Sequence, residues 1–440
     1  MRDARKVRDA DYQILWLKRW IWLYFWLLIF EGALRKWIIP SLSGPLLIIR
    51  DPVAVMIYFQ AYKCGRFTLK TMWPFAFMTL AILPLTVAQV IMGVNTPAIA
   101  LYGLRSYLLH LPLTVVMAET LNGEDIRRIG RWILMLSVPM TALLVAQFYA
   151  PSVSWLNAGA GEGSGQIGSA LGHVRPAGTF SYGIGAQAYV GLVIVFVLYA
   201  STRRGMYPKW LTWISAFASI AVIPALGSRS FLFTTVIVAG FCLIAGTSST
   251  DRLFGFVKVF VLFVLFAALA SQLSFFEEAS VVMSTRWQQA SRTEGDIENI
   301  LSTRVFNNFR DAFESAGAAP LLGNGVGMGS NFAAVIKTGS KSFLMAEGEW
   351  ERVVLEFGPL FGLAFMILRV GIAYYIFLQA TRALKRKDML AWLLLPTVLP
   401  AIIVNAMEQP TYLWFMVFGA GLCLAAVQVS KTSRAHAVYA

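Results

Sequence analysis

The sequence predicts an all-α polytopic membrane protein with about twelve transmembrane helices. Three observations carry that expectation. Of 440 residues, 58% are hydrophobic and only 14% charged, against about a quarter charged in a soluble domain. Apolar windows of roughly 20 residues recur, each long enough to cross a bilayer core of about 30 Å. Lys and Arg gather in alternate connections between those windows, as they do in inner-membrane proteins.

The first window, 16–34, follows the charged opening "MRDARKVRDADYQILWLKRW". That opening has no small-residue cleavage site and reads as a cytoplasmic lead-in, not a removed signal peptide. The second, 45–62, is the weakest, because Arg50 and Asp51 interrupt it. Windows follow at 72–93, 97–118, 131–150, 185–201, 208–226, 230–247 and 255–274, and then at 352–380, 389–407 and 411–429. With the N-terminus inside, 23 of the 37 basic residues fall in 1–19, 62–71, 119–131, 201–209, 248–258, 382–387 and the tail. The opposite connections 94–96 and 408–410 carry none. Both termini are therefore expected in the cytoplasm.

Two long connections then lie outside, 151–184 and 275–351. An unstructured loop as long as the second is uncommon unless it is functional. In "ENILSTRVFNNFRDAFESAG", Ile300, Leu301, Val305, Phe306, Phe309 and Phe313 recur at helical spacing. The run "PLLGNGVGMGSN" behind it is turn-rich. The expected organisation is a membrane bundle over 1–274, a small helical outer domain over 275–351, and returning spans over 352–440.

The net charge of +14 fits cytoplasmic loops, and no nucleic-acid module accompanies it. Cys64, Cys242 and Cys423 have no spacing that suggests zinc or a disulfide framework.

Fourteen basic residues break the inside bias. Arg175, Arg229, Arg286 and Arg304 fall on the outer side, and Arg105 lies about two turns inside the fourth window. Intramembrane charge is costly and points to function by default. Several arginines on one side imply an anion, and the planar guanidinium suits phosphate bidentately. Arg175 alone reads as a snorkelling side chain; with Arg229 and Arg304 it reads as an anion site. Glu31, Glu408 and Arg369, in or near windows, are expected to pair between helices. The "GNGVGMG" run follows no strand, so it is not read as a nucleotide loop.

Four segments, "RPAGTFSYGIGAQAYVGL", "GSRSFLFTTVIVAG", "STRVFNNFRDAFESAGAAPLLGNGVGMG" and "EGEWERVVLEFGPLFGLAF", together resemble the bacterial O-antigen ligase and polysaccharide polymerase superfamily (WaaL-like and Wzy-like membrane glycosyltransferases). The resemblance covers about 170 to 380. It implies a GT-C-like inner-membrane enzyme that moves a glycan from an undecaprenyl-pyrophosphate donor to a glycan, lipid or protein acceptor on the periplasmic face. Other polysaccharide-assembly proteins would be its partners. Polymerisation is the leading expectation and ligase-type transfer the alternative; from another class, a transporter of lipid-linked glycans or anions is the rival.

By that resemblance Arg229 and Arg304 hold the pyrophosphate and Arg175 is the loop arginine, with Arg286, His173 and Arg105 as further substrate-binding candidates. The family's loop histidine aligns with Glu347, which becomes the candidate base; Glu349 or His173 are the alternatives. Fixed cations can stabilise charge on the leaving pyrophosphate, so neither a metal nor a cofactor is expected.

Overall fold

A backbone in hydrocarbon has no water to bond, so it must satisfy its own hydrogen bonds, and the apolar windows become helices. The computed structural model describes residues 2–439 apart from 68, 161–164, 204, 247–259, 262, 295–306, 341–343 and 347. Among the described residues there is no strand, only isolated bridges from Ala158 to Gly165 and from Gly168 to Val174.

The helices are α1 (Arg2–Ala33), α2 (Arg50–Lys63), α3 (Leu69–Ile91), α4 (Pro97–Leu104), α5 (Leu113–Thr120), α6 (Gly123–Tyr149), α7 (Gly183–Thr202), α8 (Lys209–Leu226) and α9 (Arg229–Gly246). There follow α10 (Ser274–Glu294), α11 (Asn308–Ala318), α12 (Asn331–Thr338), α13 (Glu349–Lys385), α14 (Leu390–Ile403) and α15 (Pro410–Tyr439). By helix length and hydropathy the chain is a multi-pass membrane protein.

The expectation of about twelve spans is met in part. Among the described residues 8 helices are long and apolar enough to cross a membrane, or up to 10 if each bent pair is one span. The expected 45–62 span bends by 41° between Pro40–Leu46 and Arg50–Lys63. At 255–274 the described part, Phe263–Ala270, meets Ser274–Gln289 at 97°, so α10 turns across the end of the bundle instead of continuing along it. Helix α14 has only 14 residues, too few to cross alone. Helix α1 is long but carries Lys18, Arg19 and Glu31 in its apolar stretch.

Helix α15 lies at the centre, with 83% of its apolar window buried and with α5, α14, α13, α7, α6 and α1 against it. The π-helical turn Arg105–Leu109 joins α4 towards α5. Helix α13 kinks at Gly358, where φ is 80°. The ring of Pro359 cannot accept the normal helical path behind it. The kink interlocks with the glycine-rich run: a Cβ on Gly358 would lie 2.2 Å from the Leu321 carbonyl oxygen, and one on Gly323 the same distance from that of Glu356.

Of the helix expected over 300–313, residues up to 306 lie outside the described residues. Phe309 stacks on Trp350 at 5.3 Å, as an apolar face should. Phe313 does not join it and stays 62% exposed, because α11 meets α13 along Phe309, Ala312 and Ala316.

Candidate functional site

The connections before α2, α4, α7, α9, α13 and α15 all meet at one end of the bundle. The arginine turn sits there, and it is held rigidly. In "RPAGTF" Gly178 has φ +60°, which permits a tight turn. Buried Gln147 of α6 accepts hydrogen bonds at Oε1 from the N–H groups of Ala177 (3.1 Å) and Gly178 (2.7 Å). The Gly178 carbonyl accepts from Lys36 Nζ at 2.6 Å. Thr179 donates to the Ile29 carbonyl, and Arg35 donates to Ser181 Oγ at 3.1 Å. Gly32 lets α1 approach: a Cβ there would lie 2.4 Å from the Ser181 nitrogen.

The turn presents Arg175, half-buried, towards two further half-buried arginines. Arg286 of α10 experiences the positive charges of Arg175 and Arg229 together. It donates to the Gly227 carbonyl at 2.6 Å, at the C-terminus of α8. Arg229 opens α9 and lies 6.0 Å above the Trp287 ring. Arg175 Nε is buried with no hydrogen-bond partner among the described residues. Burial also pulls the Arg175 guanidinium below its ordinary pKa. Like charges held together and partly dehydrated cost free energy that a bound anion would recover. Arg175 and Arg229 of the expected grouping thus both act on Arg286; its third member, Arg304, and Glu347 lie outside the described residues.

Three other candidates have different occupations. Arg105 pairs with Asp51, donates to the Leu47 carbonyl at 3.2 Å, and shares Asp51 with His110 Nε2 (3.0 Å), while its Nη1 is buried with no hydrogen-bond partner among the described residues. Inside a bundle such pairing is what makes the charge tolerable. His173 stacks on Phe148 with ring centroids 4.2 Å apart. Its Nδ1 donates to the Phe148 carbonyl at 2.9 Å, and its Nε2 meets Glu278 at 3.3 Å. Both ring nitrogens are thus engaged. Glu349 is buried and pairs with Arg352 and Arg369, and it accepts from the Met407 N–H at 3.2 Å. Both of its oxygens are thus engaged.

Glu356 completes that cluster. It accepts from Tyr107 (2.8 Å), Arg352 Nη1 (2.9 Å) and the N–H groups of Gly327 (3.0 Å) and Gly329 (2.8 Å). The glycine-rich run is thereby tied to α13. Gln89 and Asn95 tie it to α3 and the connection behind α3, through the Val326 N–H (2.8 Å) and carbonyl (2.9 Å).

Of the residues expected to pair between helices, Glu31 reaches Arg50 of α2 besides Arg35 four residues on, whereas Arg369 pairs with Glu349 of its own helix α13, across the kink. Glu408 does neither. It is 6% exposed and forms no hydrogen bond or ion pair among the described residues. A cavity of about 590 Å³ runs between α3, α5, α13 and α15, from Ile402, Met407 and Arg369 at this end to Gln428 and Lys431 at the other. No protein-family model matches the chain, and comparison with curated proteins finds no significant match.

Proposed function

We propose that this protein is a metal-independent membrane glycosyltransferase. It moves a glycan from an undecaprenyl-pyrophosphate donor to a hydroxyl acceptor at the periplasmic face of a bacterial inner membrane, in polysaccharide polymerisation. The arginine group of Arg175, Arg229 and Arg286 carries this reading. Three guanidiniums from three elements, one with a buried unsatisfied N–H, suit a diphosphate better than a single carboxylate or a lipid headgroup.

In the reaction the bond between the anomeric carbon and the pyrophosphate oxygen breaks, and its electron pair leaves with the pyrophosphate. The arginines stabilise that growing charge from fixed positions. The acceptor oxygen bonds to the anomeric carbon and loses its proton to a base. The long cavity beside α15 offers an apolar berth for a lipid chain. The transporter reading gains less support: the charges inside the bundle, Glu31 with Arg35 and Arg50 and Asp51 with Arg105, are already paired with each other.

The test is glycan transfer in proteoliposomes that contain the full-length protein and a polyprenyl-pyrophosphate oligosaccharide. Product should form in excess chelator, and Arg175→Lys or Arg286→Lys should lower the rate by at least tenfold. Donor flux across the vesicle without product would favour the transporter.

A further inference from the structure

The long cavity beside α15 does not end blindly. At the end away from the arginine group it shares Ala118, Glu119 and Gln428 with a second cavity of about 480 Å³. The two differ in chemistry. The first is walled by Val115, Leu368, Ile372, Met416, Ala420 and Leu424, and its charged residues stand only at its ends, Arg369 at one and Glu119 and Lys431 at the other. The second is lined by Lys18, Arg66, Thr120, Asn122 and Thr432 besides the shared residues. An apolar slot that opens into a polar pocket suits an amphiphile.

Its length identifies the kind of amphiphile. Along α13 the slot runs from Ile367 to Gln379, and along α15 from Met416 to Lys431. At about 1.5 Å per residue these stretches are about 18 and 22 Å long. One leaflet with its headgroups takes about 20–22 Å, half of a bilayer. The slot thus matches a lipid of a single leaflet. Its rim faces outward, with Trp73 and Ile367 exposed, while Met416, Ala420 and Val427 close the inner wall. A lipid can therefore enter from the bilayer without crossing the protein.

Charge identifies the headgroup. Lys18, Arg66 and Lys431 line the polar end, and Glu119 is the one carboxylate among the described lining residues. Lys18 is paired with Asp125 at 2.6 Å, so Arg66 and Lys431 together outnumber Glu119. Arg386 adds a further guanidinium behind them, donating to Ser430 Oγ at 3.1 Å beside Lys431. Three connections expected in the cytoplasm for their basic residues, 62–71, 119–131 and 382–387, thus meet at this end. Basic pockets between membrane helices on that side bind anionic headgroups.

We propose that this continuous cavity binds one anionic phospholipid of the leaflet that faces the basic end, with its phosphate at Arg66 and Lys431 and an acyl chain between α3, α5, α13 and α15. The site lies at the opposite end of the bundle from Arg175, Arg229 and Arg286. A pyrophosphate held by that group would have its chain, not its phosphates, towards Arg66. The phospholipid is therefore a ligand distinct from the glycan donor, and the inference does not rest on the reaction proposed for the protein. Because α3 meets the slot through Trp73, Pro74 and Phe75 near its start, the lipid joins α3 to the central α15 on this side.

The experiment strips lipid from the full-length protein in mild detergent and returns it to nanodiscs of phosphatidylglycerol or phosphatidylcholine. Native mass spectrometry counts the lipid that stays bound, and thermal unfolding reads the stability that a bound ligand adds. The wild type should retain one phosphatidylglycerol and melt higher with it than with phosphatidylcholine. Arg66→Ala combined with Lys431→Ala should weaken phosphatidylglycerol binding roughly thirtyfold, the loss of two such contacts. Gly371→Trp should abolish retention of either lipid. Gly371 lines the slot and a Cβ there meets nothing within 4 Å, so the ring takes the place of the chain. Equal retention and equal melting with the two lipids overturns the proposal, as does preferential retention of a polyprenyl phosphate added in competition. Wild-type binding in either variant also overturns it. The comparison of lipids on the wild type decides the matter even if a variant does not fold.

Discussion

Replacing Gly32 by alanine tests whether the arginine turn is held by the first helix. A Cβ at this position would lie 2.4 Å from the Ser181 nitrogen and 2.5 Å from the Phe180 carbonyl carbon and the Thr179 carbonyl oxygen. All three are backbone atoms, so no side chain can swing aside. Ordinary contact for such a carbon begins near 3.4 Å, so α1 and the turn must separate by roughly 1 Å. Overpacking of this kind costs about 1–3 kcal/mol. A displacement of about 1 Å in a positioning element can cost about 10²-fold in rate. Gly32→Ala should therefore lower kcat strongly and the melting temperature modestly, measured by proteoliposome transfer and by unfolding in detergent. Gly44→Ala is the control, because a Cβ there meets nothing within 4 Å. Full turnover and unchanged melting in Gly32→Ala would refute the idea that α1 fixes the turn.

Other expectations follow from the same geometry. Arg229→Lys and Arg304→Lys should abolish most transfer while the protein still inserts, since lysine keeps the charge but loses the fork; wild-type rates in both would make them anchors. Glu349→Ala should destabilise the fold by about 3–5 kcal/mol, because it leaves buried arginine charge uncompensated; unchanged melting would contradict the buried network. Reporters fused at 387 should read as cytoplasmic, and those at 165 and 320 as periplasmic. A cytoplasmic signal at 320 would place the arginine group on the wrong side for the proposed donor.

The helices were legible because hydrocarbon imposes them wherever apolar residues persist. Arg175 and Arg229 were legible for the opposite reason: each sits beside an apolar run, whereas Arg286 lies in a polar stretch. Glu349 was not legible as a structural residue, since its partners Arg369 and Met407 lie 20 and 58 positions away and only the fold joins them. The pairing of Arg105 was hidden for the same cause: its charge is visible in the sequence, but Asp51, 54 residues earlier, is not identifiable as its mate. The bend before α10 escaped because an apolar window gives length and not direction. Glu408 was read as one of three charges that pair between helices. Glu31 does so through Arg50, Arg369 pairs across the kink of its own helix, and Glu408 forms no ion pair among the described residues.

The interlock of Gly323 with Gly358 has a mechanical consequence. The glycine-rich run and the kink of α13 press backbone against backbone, so neither can rotate past the other. Glu356, two residues before the kink, grips the same run through the N–H groups of Gly327 and Gly329. The run and the first turns of α13 therefore move as one body, and Arg352 travels with them. Lifting this body from the bundle would break the hydrogen bonds to Gln89 and Asn95 and would pull Arg352 away from Tyr107. Raising the segment like a lid would have to break all of these contacts together.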